Sequence, residues 1–185
     1  WSSDVCSSDL LGSMSVSQFA ERLNGTIVLA RHNEVFEFGP AGLKPAPILR
    51  LTEDERITTV LVDRADRLWI GTAGGLGMYE QGRFRSYTTR DGLTSNRIWA
   101  LHEDDAGQIW IGTLEGGLCR YKDGRFNCIT PAQGLYDQNV FQIVDDARGN
   151  FWVGCHRGLY RVSQEQLNAV ADGLRTAVTC ATYGP

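Results

Sequence analysis

The chain has 185 residues, 42% of them hydrophobic, with 21 Gly, 5 Trp and a formal net charge of −4. It contains no apolar run near the ~20 residues that a membrane-spanning helix needs. It also has no basic stripe, so nothing in its charge marks nucleic acid as a partner.

Trp1 to Leu10, WSSDVCSSDL, fits no fold pattern and reads as the in-frame translation of a common sequencing adapter. It is set aside as a tag or fusion scar would be. Without Asp4 and Asp9 the charge moves from −4 to −2, and without Cys6 four of the five cysteines remain. On that reading the natural start of the protein, and any signal peptide, lies outside this sequence.

From Leu11 to Leu23 the pattern is indistinct, and SQFAERL suits a short helix or a damaged strand. Asn24 to Phe38, NGTIVLARHNEVFEF, falls 41 residues before a clearer copy, with Val28 in the place of Trp69 and Phe38 in the place of Tyr79. Its tail, GPAGLKPAPILRL, carries three of the five prolines and reads as loop.

The first clear unit runs ITTVLVD, LWIGT, LGMYE and RFRSYTT, four short strands separated by turns at Arg64–Arg67, Gly74–Gly75 and Gln81–Gly82. The second repeats the order as IWALHED, IWIGT, LCRYK and RFNCIT, with the hairpin pair Asp123–Gly124. The third runs VFQIVDD, FWVGC and GLYRV. Then Ser163 and Gln166 form a capping box, Leu167, Val170 and Ala171 share a face, and Gly173 ends a helix expected over Gln164–Asp172. LRTAVTCATY supplies the last strand.

Trp110 follows Trp69 by 41 residues and Trp152 follows Trp110 by 42, with Gly71, Gly112 and Gly154 two positions behind each. A period of about 40 residues marks a repeat architecture. Four strands of about five residues cannot bury both their faces, so the units must stack, and radial stacking is a β-propeller. The expected fold is therefore all-β: a partial propeller of about four four-stranded antiparallel blades with one short helix near the C-terminus. The expected blades are 11–55 (degenerate), 56–97, 98–139 and 140–185 (truncated, with the helical insert). In that geometry each Trp supplies the apolar area between blades, and each Gly lets a neighbouring backbone approach.

The string DGLTSNRIWALHEDDAGQIWIGTLEGGLCRY, Asp91 to Tyr121, resembles the two-component regulator propeller repeat. The resemblance extends over Ile57 to Val162, and more weakly back to Asn24. RGLYRVSQEQLNAVADG, Arg157 to Gly173, further resembles the last blade of such sensors. The departures are Val28, where Trp is lost, and Gln133, where the acid of DGL becomes Gln. The resemblance implies a periplasmic sensor region of a membrane-bound receptor, non-catalytic and without a cofactor. In the intact protein the rest of the propeller, a β-sandwich, a transmembrane helix and a histidine kinase or diguanylate cyclase would follow. Membrane contact would then come only through those missing segments. The ligand it implies is a small molecule or an oligosaccharide. Two other readings are a propeller lyase or hydrolase and an intracellular protein-interaction scaffold.

Turns after strands two and four of each unit lie on one face and carry the longer connections, where binding residues tend to sit. The candidate ligand contacts are Arg90, Asp91, Asn96, Glu115, Tyr136, Asp137, Gln138, His156 and Arg157. Asp104–Asp105 and Asp145–Asp146 lack the spacing of a calcium loop and are read as turn caps. His32, His102 and His156 occupy different repeat positions, so neither a metal site nor a catalytic group is expected. Around the Asp123–Gly124 turn, Cys119 faces Cys128 in a non-hydrogen-bonded pair, compatible with a cross-strand disulfide or with two buried thiols. Cys155 and Cys180 have no register by which to pair. Terminal blades should expose a Trp-lined face, so the isolated chain should be poorly soluble or self-associate, as a homodimer for example.

Overall fold

The computed structural model describes residues 17–43, 47–53 and 55–184; the adapter-like Trp1–Leu10 lies outside them. The first sheet holds β1 (Gln18–Glu21), β2 (Ile27–Arg31) and β3 (Glu34–Gly39), with β4 (Gly42–Leu43) and β5 (Leu49–Arg50) both paired to β3. The second holds β6 (Ile57–Val62), β7 (Leu68–Thr72), β8 (Leu76–Glu80) and β9 (Arg83–Tyr87). The third holds β10 (Ile98–Glu103), β11 (Ile109–Thr113), β12 (Leu118–Lys122) and β13 (Arg125–Ile129). The fourth holds β14 (Val140–Asp145), β15 (Asn150–Cys155), β16 (Gly158–Ser163) and β17 (Cys180–Tyr183), with helix α1 (Gln164–Ala171) between the last two.

All pairings are antiparallel and consecutive in the second to fourth sheets. The leading strands β1, β6, β10 and β14 touch in succession, so the four sheets form an arc of propeller blades with their first strands innermost. SQFAERL is strand rather than helix, because Phe19 and Ala20 pair with Leu29 and Val28. The Pro-rich tail, expected to be loop throughout, contains β4 and β5, two-residue strands held by β3. The final strand shortens to Cys180–Tyr183, since α1 and its exit occupy the chain up to Thr179.

The 41-residue offset holds in register: Ile27 pairs with Phe38 as Leu68 pairs with Tyr79. Asp123 and Gly124 have φ of 50° and 78°, the two left-handed positions of a type I′ turn. That turn sets Tyr121 opposite Phe126 and Cys119 opposite Cys128. The two cysteines form a disulfide, with Cα atoms 3.9 Å apart.

The core lies between blades. Trp69, Leu76 and Met78 pack on Ile109, Ile111 and Cys119 of the next blade. Trp110, Leu118 and Ile129 pack on Phe151, Val153, Tyr160 and Val162, with Leu167 and Ala171 of α1 closing the rim. Trp69 and Trp110 are fully buried; burying an aromatic of that size is worth roughly 4–6 kcal/mol. A Cβ on Gly71 would meet Ile98 Cγ2 at 2.8 Å, and one on Gly112 would meet Val140 Cγ1 at 2.5 Å. Gly71 and Gly112 thus admit a neighbouring side chain, not the backbone approach expected from sequence, because the next blade's first strand lays a β-branched residue over them.

Candidate functional site

The two faces of the arc are built differently. On one, the turn after the first strand of the second, third and fourth blades is organised by an Asp carboxylate, buried at Asp63 and Asp104 and half-buried at Asp146. Asp63 Oδ1 accepts from the backbone N–H groups of Ala65 and Arg67, and Oδ2 accepts from Arg67 Nε and from Trp69 Nε1 at 2.7 Å. Asp104 does the same with Ala106, Gln108 and Trp110, and Asp146 with Arg148, Asn150 and Trp152. Desolvation pushes the Asp146 carboxyl up, yet these hydrogen bonds together hold it below its ordinary value. Asp104, Asp145 and Asp146 are turn caps, as their sequence context indicates, whereas Asp105 instead pairs with Arg64 in the open. In the first blade Arg22 and Val28 stand where Asp and Trp would be, and Arg22 bonds Glu37 and Asp66 instead.

On the opposite face the connections between blades are sewn to the turns after second strands. Thr94 donates to the carbonyl of Gly116, Leu114 N to that of Arg97, and Gly117 N to that of Gln138. The crossovers into the third and fourth blades open with 3-10 turns, Thr89–Asp91 and Pro131–Gln133. In the first, Asp91 Oδ2 accepts from Thr88 N at 2.8 Å; in the second, Gln133 Oε1 accepts from Thr130 N at 2.9 Å. The change from Asp to Gln keeps the capping box.

The nine candidates separate by what their side chains already hold. Asp91 caps its turn, Asn96 Oδ1 accepts from Thr89 N, and buried Asp137 accepts from Asn139 N and Arg157 N. Arg157 lies over the Tyr136 ring at 4.2 Å and donates to its carbonyl. Glu115, left-handed at φ 66°, pairs with Arg97 at 3.2 Å in the open. Arg90, Gln138 and His156 are exposed. The loop face therefore offers one guanidinium, one amide, one imidazole and an exposed ion pair on locked backbone.

Two aromatics belong with this group and were not among the candidates. The first strands β6, β10 and β14 each carry a bulge, at Thr58, Trp99 and Phe141. Trp99 is 43% exposed, 6.3 Å from the Phe141 ring, which is 6.4 Å from His156. Their signal was the residue after each Ile98-type position, one step out of the alternation. A separate open groove of about 850 Å³ on the first blade is lined by Arg31, His32, Glu34, Arg50 and Arg56.

Among the described residues no three His, Cys, Asp or Glu side chains converge as a metal site would require. Burial pushes the Cys155 and Cys180 thiols up, which keeps them protonated and weakly nucleophilic. Burial and a hydrogen bond with Tyr87 push Tyr121 up to about 12. Among the described residues no helix is long and apolar enough to cross a membrane.

Comparison with known proteins places these features. Residues 45–74 and 92–115 match the family model described as two component regulator propeller. No curated protein matches the chain. Among solved structures, the chain superposes with a TM-score of 0.69 and 22% identity on the extracellular domain assigned to a hybrid two component system, BT3049 of B. thetaiotaomicron, over 82% of this chain and 22% of that one. The extracellular domain of BT4673 from the same organism gives 0.67 and 24%, over 85% and 25%. Virginiamycin B lyase from Staphylococcus aureus gives 0.65 and 14%, over 92% and 56%. At these identities the likeness shows the fold, and the chain spans about a quarter or less of the two bacterial extracellular domains.

Proposed function

We propose, on the premise that two stretches of this chain are two component regulator propeller repeats, that it is the ligand-sensing propeller segment of a membrane-bound two-component or cyclic-di-GMP receptor. The observation that carries the reading is the loop face, where Arg90, Gln138, His156 and the Arg97–Glu115 pair project from backbone locked by Asp91, Asn96 and Asp137. Rigid scaffolds with free polar loop residues bind ligands at low ordering cost. The segment itself is non-catalytic; a kinase or cyclase elsewhere in the protein carries the output. The Cys119–Cys128 disulfide supports a periplasmic location, since such bonds persist in oxidising compartments. It also weighs against an intracellular scaffold.

The ligand class is a small molecule or an oligosaccharide. The test is calorimetric titration of the full chain against panels of both, followed by Arg90→Ala, Gln138→Ala and His156→Ala. Binding lost or weakened at least ~10-fold in these variants supports the loop face, about 1.4 kcal/mol. A ligand whose affinity survives all three places its site elsewhere.

A further inference from the structure

The Cys119–Cys128 bond does not set the hairpin that it joins. The Asp123–Gly124 turn already fixes the register, and the second and fourth blades hold the same positions without a bond, as Gly77 opposite Ser86 and Tyr160 opposite Thr182. What the two sulfurs touch is the crossover into their blade, residues 88–97. Thr94 Oγ1 lies 3.2 Å from Cys119 Sγ, and the Gly92 carbonyl oxygen lies 3.6 Å from Cys128 Sγ. Leu93, between them in sequence, is buried in the same cluster. Once reduced, each thiol faces an acceptor. The Cys119 S–H meets Thr94 Oγ1, whose own proton goes to the Gly116 carbonyl, and the Cys128 S–H meets the Gly92 carbonyl. A site that satisfies both thiols stabilises the reduced form. The register acts in the same direction: a directly opposed, non-hydrogen-bonded pair sets its Cα atoms about 4.5 Å apart, below the roughly 5.5–6 Å that disulfides prefer, and a bond held off its preferred span is more readily reduced. Cys119 is fully buried and Cys128 half-buried, so Cys128 is the sulfur within reach.

We propose that Cys119 and Cys128 form a reversible thiol–disulfide switch, exchanged at Cys128 by a low-molecular-weight thiol, that governs the mobility of this crossover. The incoming thiolate attacks Cys128 Sγ, forming a mixed disulfide and displacing Cys119 as a thiolate, which takes up a proton. A second thiolate attacks the reagent sulfur of that mixed disulfide. The oxidised reagent leaves, and Cys128 is released as a thiolate and protonated. Two thiols thus give two electrons and two protons to the protein and depart joined to each other. With the cross-link gone, the crossover rests on two separate strands through two thiols, each a weak donor, so residues 88–97 open more often. These residues include Arg90 and Asn96. That the switch thereby tunes ligand binding rests on the loop-face reading above; the exchange chemistry and the crossover response do not.

The test equilibrates the full chain in a series of reduced-to-oxidised glutathione buffers, quenches it with an alkylating reagent and maps Cys119 and Cys128 by peptide mass spectrometry. Amide hydrogen exchange is followed on the same samples. A structural disulfide resists the glutathione pool. Here the reduced form should be populated within the series while the protein keeps a cooperative melt. Amides of residues 88–97 should then exchange at least ~3-fold faster than in the oxidised form, with those of residues 130–139 unchanged. Cys119→Ser/Cys128→Ser should reproduce the faster exchange. Thr94→Val, which removes the acceptor facing Cys119, should shift the equilibrium toward the disulfide by at least ~2-fold, and Thr94→Ser should restore it. A bond that stays oxidised across the series, a reduced form that is unfolded, or equal exchange of residues 88–97 in both states would overturn the proposal. So would a Thr94→Val equilibrium equal to that of the wild type. No readout uses a ligand, so failure here leaves the loop-face reading standing, and an empty ligand screen leaves the switch standing.

Discussion

The indole nitrogen of Trp110 donates to Oδ2 of Asp104 at 2.9 Å, tying the stacking surface of a blade to the turn that precedes it. The same six-residue step joins Asp63 to Trp69 and Asp146 to Trp152. Each carboxylate gathers four donors, so blade packing and turn geometry are one structure. Asp104→Ala would leave two backbone N–H groups, the Gln108 amide and the indole without their acceptor. The expected loss is about 3 kcal/mol or more by urea denaturation, each orphaned buried donor costing about 1–3 kcal/mol. A loss below about 1 kcal/mol would show that water replaces the carboxylate.

Gly112 and Gly154 occupy the same repeat position with different neighbours. Gly112→Ala drives a methyl to 2.5 Å from Val140 and 2.9 Å from Ala100, and overpacking of that kind costs about 1–3 kcal/mol. Gly154→Ala meets nothing closer than 3.8 Å and should change the stability of the chain by less than about 0.5 kcal/mol. Equal effects of the two substitutions would mean that the glycines serve backbone freedom rather than interblade space.

Much of this architecture was legible in the residues. The Asp123–Gly124 turn set the β12–β13 register, and through it the Cys119–Cys128 pairing, because a type I′ turn leaves one alignment. The Asp-to-Trp spacing was equally available, three times over, but its meaning needs the turn to bring the two together. Short strands were harder to see: β4 and β5 exist only because β3 offers an edge, and two residues carry no period. Of the loop residues, sequence could locate Asp91, Asn96 and Asp137 but not their roles, since each binds backbone N–H groups whose direction only the folded crossover sets. Trp99 and Phe141 escaped because a bulge turns them out of the alternation used to find strands.

The disulfide closes a short hairpin whose register is already fixed. The chain-entropy account assigns a loop of this size about 2–3 kcal/mol. Reduction, or the Cys119→Ser/Cys128→Ser double variant, should lower stability by up to that amount without changing the strand content seen by circular dichroism. Unchanged melting in reductant would show that the Asp123–Gly124 turn alone restrains the unfolded hairpin.

His102 stands where the second blade has Leu61 and the fourth has Val144, opposite Trp110. Its ring lies 5.2 Å from Phe151, and its buried Nε2 has no hydrogen-bond partner among the described residues. Burial lowers its pKa from 6.5; Asp145, Asp104 and Asp105 pull it back up, and Arg64 pushes it down. The neutral imidazole is therefore favoured in the folded state. Below pH 6.5 the unfolded chain takes up the proton first, so stability falls as pH falls through 6.5 toward the lower folded value. Asp172, whose carboxyl is held low chiefly by its hydrogen bond from Arg120, loses its contribution only further down, below the ordinary carboxylate value of 3.8. His102→Leu, which restores the apolar residue of the second blade, should thus raise the melting temperature more at pH 5 than at pH 7. Calorimetry at pH 5, 6 and 7 checks this. Parallel curves for the two proteins would assign the acid sensitivity in that range to other groups.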